Sequence, residues 1–264
     1  RRGGRTAMTP GTGAGNVIAA NGLSGHTNVG VWVSGFYGSG KSSLTKYLGL
    51  ALDQKCIVDG VPFLKRFQDR MKRPQTKALL STISHRFPAA VVFLDLASEM
   101  VAGATMEEVS TVLYYKVLQW AGYSESPKVA ALERRLKKDG KFDAFCAEIQ
   151  NRVGEPWVGN LQNDPLATDE IVPDLAHKFL PAFYADPRSF KSDATDHRQF
   201  ENKRVEDMIA IAREHSGKEY VLFIRDEVGQ YVGARQNLIL NLDGLAKNLK
   251  IIGDGKVWIF GTAQ

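Results

Sequence analysis

Cysteine is scarce in this chain. Cys56 and Cys146 are the only two in 264 residues, they form no C-x-x-C pair, and the five histidines are scattered. That pattern argues against a zinc finger or ribbon and against a secreted disulfide scaffold. Long apolar runs are missing too. None approaches the roughly 18 residues that span a bilayer, and the opening "RRGGRTAMTP" has arginines but no apolar segment after them. The expectation is a cytoplasmic protein with no membrane partner. No internal repeat, helix-turn-helix or zinc finger is evident. What remains is ordinary for a globular domain: 44% apolar residues, 24% charged, and a net charge of +5. The basic balance permits an anionic partner without demanding one.

The chain begins at Arg1, and "RRGGRTAMTPGTGAGN" is rich in Gly, Thr and Ala without periodicity. Residues 1–27 are therefore expected to be a flexible segment, and the chain to be a piece of something longer. The apolar run "NVGVWVS" (28–34) predicts a strand. "GKSSLTKYLGLALD" (40–53) predicts a helix with Leu44, Tyr47, Leu48 and Ala51 on one apolar face and Leu52 beside them. From Val61 to Arg86 the pattern is helical and basic. "AAVVFLDLA" (89–97) predicts a second buried strand. Helical signals dominate from 105 to 215, with loops and short helices over 155–196. "EYVLFIRDE" (219–227) predicts a third strand, "RQNLILNLDGLAKNL" (235–249) a helix, and "GDGKVWIFGTAQ" (253–264) a turn and a fourth strand.

Between the first strand and the first helix stands "GFYGSGKSS", Gly35 to Ser43. Gly35, Gly40, Lys41 and Ser42 satisfy G-x-x-x-x-G-K-[ST]. In that pattern the backbone N–H groups of Gly35, Phe36, Tyr37, Gly38, Ser39, Gly40 and Ser43 curl around phosphates. A helix N-terminus adds positive potential. The Lys41 ammonium reaches the β- and γ-phosphates, and the Ser42 hydroxyl ligates Mg²⁺. The partner of such a loop is an acid at the end of a neighbouring strand. "VLFIRDE" supplies Asp226 to hold Mg²⁺ and Glu227 to orient the attacking water. Arg225 interrupts that apolar run, so its side chain is expected to find solvent or an acid. "GTAQ" at the tip of the fourth strand offers Thr262 and Gln264 to feel the γ-phosphate, as in additive-strand ATPases of the AAA+ kind. The guanine signature NKxD is absent, since "NKRV" (202–205) lacks its Asp. ATP is the nucleotide expected, by elimination.

The expected fold is an α/β P-loop NTPase, AAA+-like, with a parallel sheet flanked by helices. Core residues 28–104 and 216–264 would enclose a large helical insertion, 105–215, between strands 2 and 3. Likeness to AAA+ domains implies the sheet order 5-1-4-3-2, with the fifth strand, lid and arginine finger beyond Gln264 and the edge of strand 1 left open.

"GVWVSGFYGSGKSSLTKYL" together with "DEVGQYVG" (226–233) resembles the large P-loop ATPases of BREX bacteriophage-exclusion systems, the BrxC/PglY type. "ALERRLKKDGKFDAF" (131–145) is similar to that family's insertion. The likeness runs over roughly residues 29–264 and would cover the N-terminal portion of a longer protein. Lys41 and Ser42 match its Walker A positions, Asp226 and Glu227 its Walker B positions, and Gln230 belongs to the family-like extension. Ser43 departs from the histidine of many members. The resemblance implies an ATPase that needs a homo-oligomer or partners. It would drive assembly or remodelling of a defence complex, with a methyltransferase and a phosphatase-like protein, on foreign DNA. The residues alone leave two alternatives: another AAA+ DNA-associated motor or loader, and a nucleotide-gated scaffold without useful turnover. The basic stretch "KRFQDRMKRPQTK" (65–77) fits either DNA phosphates or a solvated helix face.

Overall fold

Four apolar runs build one parallel sheet. In the computed structural model, residues 17–19, 30–36, 38–94, 109–192, 201–226, 228 and 235–263 are described. The described residues divide into two compact units, one from 1–109 with 216–264, the other Ser110–His215.

In the first unit the strands are β1 (Val17–Ala19), β2 (Gly30–Ser34), β3 (Ile57–Val58), β4 (Val61–Pro62), β5 (Ala89–Leu94), β6 (Tyr220–Arg225) and β7 (Val257–Ala263). The five-stranded sheet has the order β1-β2-β7-β6-β5. β2, β7, β6 and β5 run parallel, in register Gly30↔Ile259, Val221↔Val257 and Ala89↔Tyr220. Counted along the chain, the parallel strands lie in the order first, fourth, third, second. β1 pairs antiparallel with the outer edge of β2, Ile18 opposite Val33. This corrects the expectation of a flexible segment throughout residues 1–27 and of an open edge on the first strand. A bare edge exposes a row of unpaired N–H and C=O groups, and Val17–Ala19 pairs with that row.

Helices α1 (Lys41–Leu52), α2 (Phe63–Asp69) and α3 (Pro74–Arg86) follow the first parallel strand. α1 packs across β2, β7, β6 and β5. The apolar layer beneath it is Ala89, Val91, Leu222 and Ile224, with Leu52, Tyr220, Trp258 and Phe260 packed alongside. The buried positions of α1 are Lys41, Thr45, Gly49 and Ala51. Leu44 and Leu48 are half-buried, and Tyr47 is 48% exposed. The expected face was therefore wrong at Tyr47. Gly49 explains why: a Cβ there would fall 2.1 Å from Ile224 Cδ1 and 2.9 Å from Phe93. The helix approaches the sheet along its Lys41–Thr45–Gly49 line, and Tyr47 turns to α2, 5.9 Å from the Phe63 ring and 6.5 Å from Phe67. Gly49→Leu is expected to lower stability by about 2 kcal/mol through overpacking. A urea melt of the two proteins checks it, and an unchanged midpoint would contradict the packing described.

The stretch expected to be helical from Val61 onward begins instead with a strand, the second arm of a short hairpin over residues 57–62. Ile57 pairs with Pro62 and Val58 with Val61. Asp59 (φ 48°) and Gly60 (φ 74°) make the turn, both in the left-handed region that an Asp-Gly hairpin requires. A last helix of this unit, numbered α10 in chain order (Gln236–Ile252), buries Leu238, Leu242, Leu245 and Leu249 at helical spacing and packs on β7.

The second unit is helical: α4 (Val109–Trp120), α5 (Pro127–Lys138), α6 (Phe142–Val153), α7 (Val172–Phe179), α8 (Pro187–Ser192) and α9 (Glu201–Ser216). Single turns at Leu161–Asn163 and Ala167–Ile171 link α6 to α7. Its core gathers Leu132, Leu136, Phe145, Ile149, Trp157, Val172 and Leu175. Tyr114, on α4, is buried and donates to Asp207 at 2.7 Å. Arg134 ties α5 to α9 through Asp207 and Glu214.

Glu133 is fully buried at the edge of this core. It accepts hydrogen bonds from the Ser124 N–H at 2.8 Å and from Trp157 Nε1 at 2.7 Å. Burial pushes its carboxyl up to about 6 despite those bonds. The folded form therefore holds the proton more tightly than the unfolded chain. The resulting stability is complete below about pH 4.5 and is lost as pH rises through about 6, roughly 2 kcal/mol in all. Glu133→Gln cannot titrate. Between pH 4.5 and pH 6.5 wild type should lose about 1.5 kcal/mol of stability relative to Glu133→Gln, measured by urea melts. A difference flat in pH would contradict this.

Candidate functional site

The site lies where β2, β6 and β7 end and α1 begins. β2 stops at Ser34, and the chain turns back with the Ser39 N–H donating to the Phe36 carbonyl at 3.1 Å. Gly38 (φ 74°) and Gly40 (φ 81°) both occupy the left-handed region. A side chain would strain either position. Gly40 is the residue before the first turn of α1, and no side chain caps that turn. The first N–H groups of a helix lack intrahelical partners, so this end is prepared for an anion. The absence of any acid in the first turn of α1 keeps the potential positive.

Lys41 is 7% exposed. Its ammonium donates to the carbonyls of Gly35 at 2.9 Å and Phe36 at 3.0 Å, so it bridges the loop's own first residues. Phe36 is 80% exposed at the rim, and Ser43 is exposed beside it. Thr45, one turn along α1, donates to the carbonyls of Lys41 and Ser42, both at 3.1 Å. This fixes the first turn.

Asp226 follows β6 directly. Its Oδ1 accepts a hydrogen bond from Ser42 Oγ at 2.7 Å and a second from Thr262 Oγ1 at 2.6 Å. Three elements meet on one carboxylate oxygen: the start of α1, the end of β6 and the end of β7. The sheet register arranges this, since Arg225 stands opposite Gly261 and places the next residues, Asp226 and Thr262, side by side. Thr262 is buried at 2% exposure. Arg225 is fully buried, so its side chain does not reach solvent as one branch of the sequence reading allowed.

The arrangement puts an ammonium and a positive helix end on one side, and a carboxylate with two hydroxyls on the other. The first set suits a phosphate. The second suits a hard divalent cation, which prefers oxygen ligands and keeps part of its water shell. Among the described residues, no group of three or more His, Cys, Asp or Glu could hold a metal by itself. A cation here would rest on Ser42 and Asp226, with water.

Of the residues singled out in the sequence, Gly35, Phe36, Gly38, Ser39, Gly40, Lys41, Ser42 and Ser43 form the loop and helix start. Asp226 and Thr262 join them at Ser42. Tyr37, Glu227, Gln230 and Gln264 lie outside the described residues. Two features escaped the sequence reading. Thr262 was expected to face a γ-phosphate; it donates to Asp226. Lys41 was expected to reach phosphate; it rests on two loop carbonyls. Neither hydrogen bond has a sequence signal, because each depends on register or loop closure.

Among the described residues no helix is long and apolar enough to cross a membrane. The chain matches no protein-family model and no solved structure.

Proposed function

We propose that this chain is a P-loop ATPase of AAA+-like architecture, binding Mg-ATP at the loop of Gly35–Ser43. The observation that carries the reading is the meeting of Ser42, Asp226 and Thr262 on one oxygen, beside the buried ammonium of Lys41. Ser42 and Asp226 are 184 residues apart in sequence. A hydroxyl at the helix start and an acid at a neighbouring strand end make the pair that holds a phosphate-bound cation. The strand order adds support, since first, fourth, third, second is the order that the AAA+ likeness implies for these four strands.

The roles follow from position. The loop N–H groups and the N-terminal end of α1 bind the phosphates. Lys41 exchanges the Gly35 and Phe36 carbonyls for phosphate oxygens. Mg²⁺ when bound neutralises phosphate charge, held by Ser42 Oγ and Asp226. Thr262 orients the Asp226 carboxylate from behind. Glu227, next in sequence, is the residue assigned to polarise the attacking water. The resemblance to the BREX ATPases carries the wider reading: a component of a phage-defence complex that couples ATP to assembly or remodelling with its methyltransferase and phosphatase-like partners. Adenine is preferred because the guanine signature is missing.

Calorimetric titration tests the base of this reading. Mg-ATP is expected to bind with a micromolar Kd and more tightly than Mg-GTP. Absence of binding by either would overturn it.

A further inference from the structure

We propose that the surface built by the β3–β4 hairpin, α2 and α3 binds the phosphodiester backbone of a nucleic acid, without regard to base sequence. This adds a partner to the ATPase proposed above but does not draw on the nucleotide site.

The argument begins with how charge is distributed. Residues 55–86 hold eight Lys and Arg (Lys55, Lys65, Arg66, Arg70, Lys72, Arg73, Lys77 and Arg86) against two acids, Asp59 and Asp69. Outside them, 26 basic residues face 27 acidic ones. The whole positive excess of the chain therefore sits in these 32 residues. A solvated helix face usually interleaves both signs; here α2 carries one acid, Asp69, and α3 none.

Most of these cations are also unspent. Lys55, Lys65, Arg66, Arg70, Lys72 and Arg73 are exposed, and Lys77 is half-buried. Arg66 pairs with Asp59 at 2.9 Å. Among the described residues, Lys55, Lys65, Arg70, Lys72, Arg73 and Lys77 enter no ion pair. Arg70, Lys72 and Arg73 crowd the short link between α2 and α3. Arg73 precedes the first turn of α3, which contains no acid and has no side-chain cap. The positive helix end adds to the same patch.

The array is fixed rather than loose. Gln68 Nε2 donates to the Lys77 carbonyl at 2.9 Å and to Ser81 Oγ at 2.7 Å, locking α2 to α3. Gln54 Nε2 donates to the Ser84 carbonyl at 2.8 Å, locking α3 to the end of α1. Phe63 and Phe67 stack 6.4 Å apart and pack on Tyr47. Their engagement on Tyr47 takes the α2 rings out of reach of a membrane; the exposed apolar side chains of this surface, Ile57 and Leu79 foremost, lie on the hairpin and on α3. A repeating phosphate charge is the complement that eight cations against two acids favour, and closely spaced Lys and Arg bind it by releasing its counterions.

Fluorescence anisotropy with a short labelled DNA duplex and with its single strand, without nucleotide, tests the proposal. With six contacts, affinity for the duplex is expected to fall about a thousandfold from about 50 to about 200 mM salt. The variant Lys65→Glu/Arg70→Glu/Lys72→Glu/Arg73→Glu should lose at least about a hundredfold at the lower salt, with a salt slope shallower by about 3.6. Lys65→Gln/Arg73→Gln, a milder change, should give an intermediate loss. A matched reversal at Lys138, Arg188 and Lys250, which enter no ion pair among the described residues, should have little effect. Mg-ATP binding, read in parallel, stays at the wild-type value in all three. Whether duplex or single strand binds more tightly identifies the form of backbone preferred, and either supports the proposal. Three results would overturn it: no binding by wild type at low salt, an equal loss in the matched reversal, or binding to anionic phosphatidylserine vesicles with none to nucleic acid.

Discussion

Lys41→Ala weakens Mg-ATP binding by at least about a hundredfold, while the chain still folds. The argument rests on where the ammonium sits. It is 7% exposed and is held by the Gly35 and Phe36 carbonyls at 2.9 and 3.0 Å. Those neutral acceptors satisfy the charge only in part, so phosphate oxygens are better partners. A charge-assisted contact to phosphate contributes about 3 kcal/mol, and about 1.4 kcal/mol is tenfold in affinity. Removing the ammonium also frees two carbonyls that water can reach through the exposed rim. Folding should survive, since α1 is anchored by Thr45, Gly49 and Ala51 against the sheet. Titration calorimetry reads the effect, with circular dichroism as the control. A well-folded variant that binds within threefold of wild type would show that the loop is not the phosphate cradle.

Asp226→Asn is the second large effect, and it should fall on turnover more than on binding. The carboxylate accepts from Ser42 and Thr262 through the same oxygen, at 2.7 and 2.6 Å. Asparagine retains one carbonyl oxygen for those hydroxyls and loses the negative charge. The local packing is therefore preserved while the cation loses its charged ligand. kcat is expected to drop by about two to three orders of magnitude, the range for loss of one electrostatic group in a reacting site. Metal-free nucleotide affinity should change by less than about tenfold, because the proposed function assigns the phosphates to the loop and Lys41. The required Mg²⁺ concentration should rise. Steady-state kinetics over a magnesium series separates these quantities. Equal losses in metal-free binding and in kcat would assign Asp226 to the fold rather than to the cation.

The sheet and the loop were legible because they depend on local signals. Continuous apolar runs marked β2, β5, β6 and β7, and the glycine spacing marked the start of α1. The pairing of Ser42 with Asp226 was legible as well, since a phosphate loop calls for an acid at a strand end. Other features depend on what lies across from a residue. Thr262 meets Asp226 only because β6 and β7 align Arg225 with Gly261. Tyr47 faces α2 because Gly49 lets α1 lie close to Ile224 and Phe93, and a periodicity count cannot see that approach. β1 is three residues long, too short for any pattern. Glu133 stands among the charges of "LERRLKK", and nothing in that string marks it as the one the fold buries between Ser124 and Trp157. Asp59-Gly60 is a turn signal, but strands of two residues on either side are too short to show a pattern.

The most direct measurement is ATP turnover by wild type and by Glu227→Gln, with Mg-ATP binding read on the same samples. Glu227 follows the carboxylate that Ser42 and Thr262 hold, and it is the one residue assigned to the water. The account predicts that wild type binds and hydrolyses ATP, faster at higher protein concentration, and that Glu227→Gln binds with similar affinity but turns over at least about a hundredfold more slowly. Binding by both proteins with hydrolysis by neither, at any concentration, would contradict an ATPase and make the loop a nucleotide-gated structural switch.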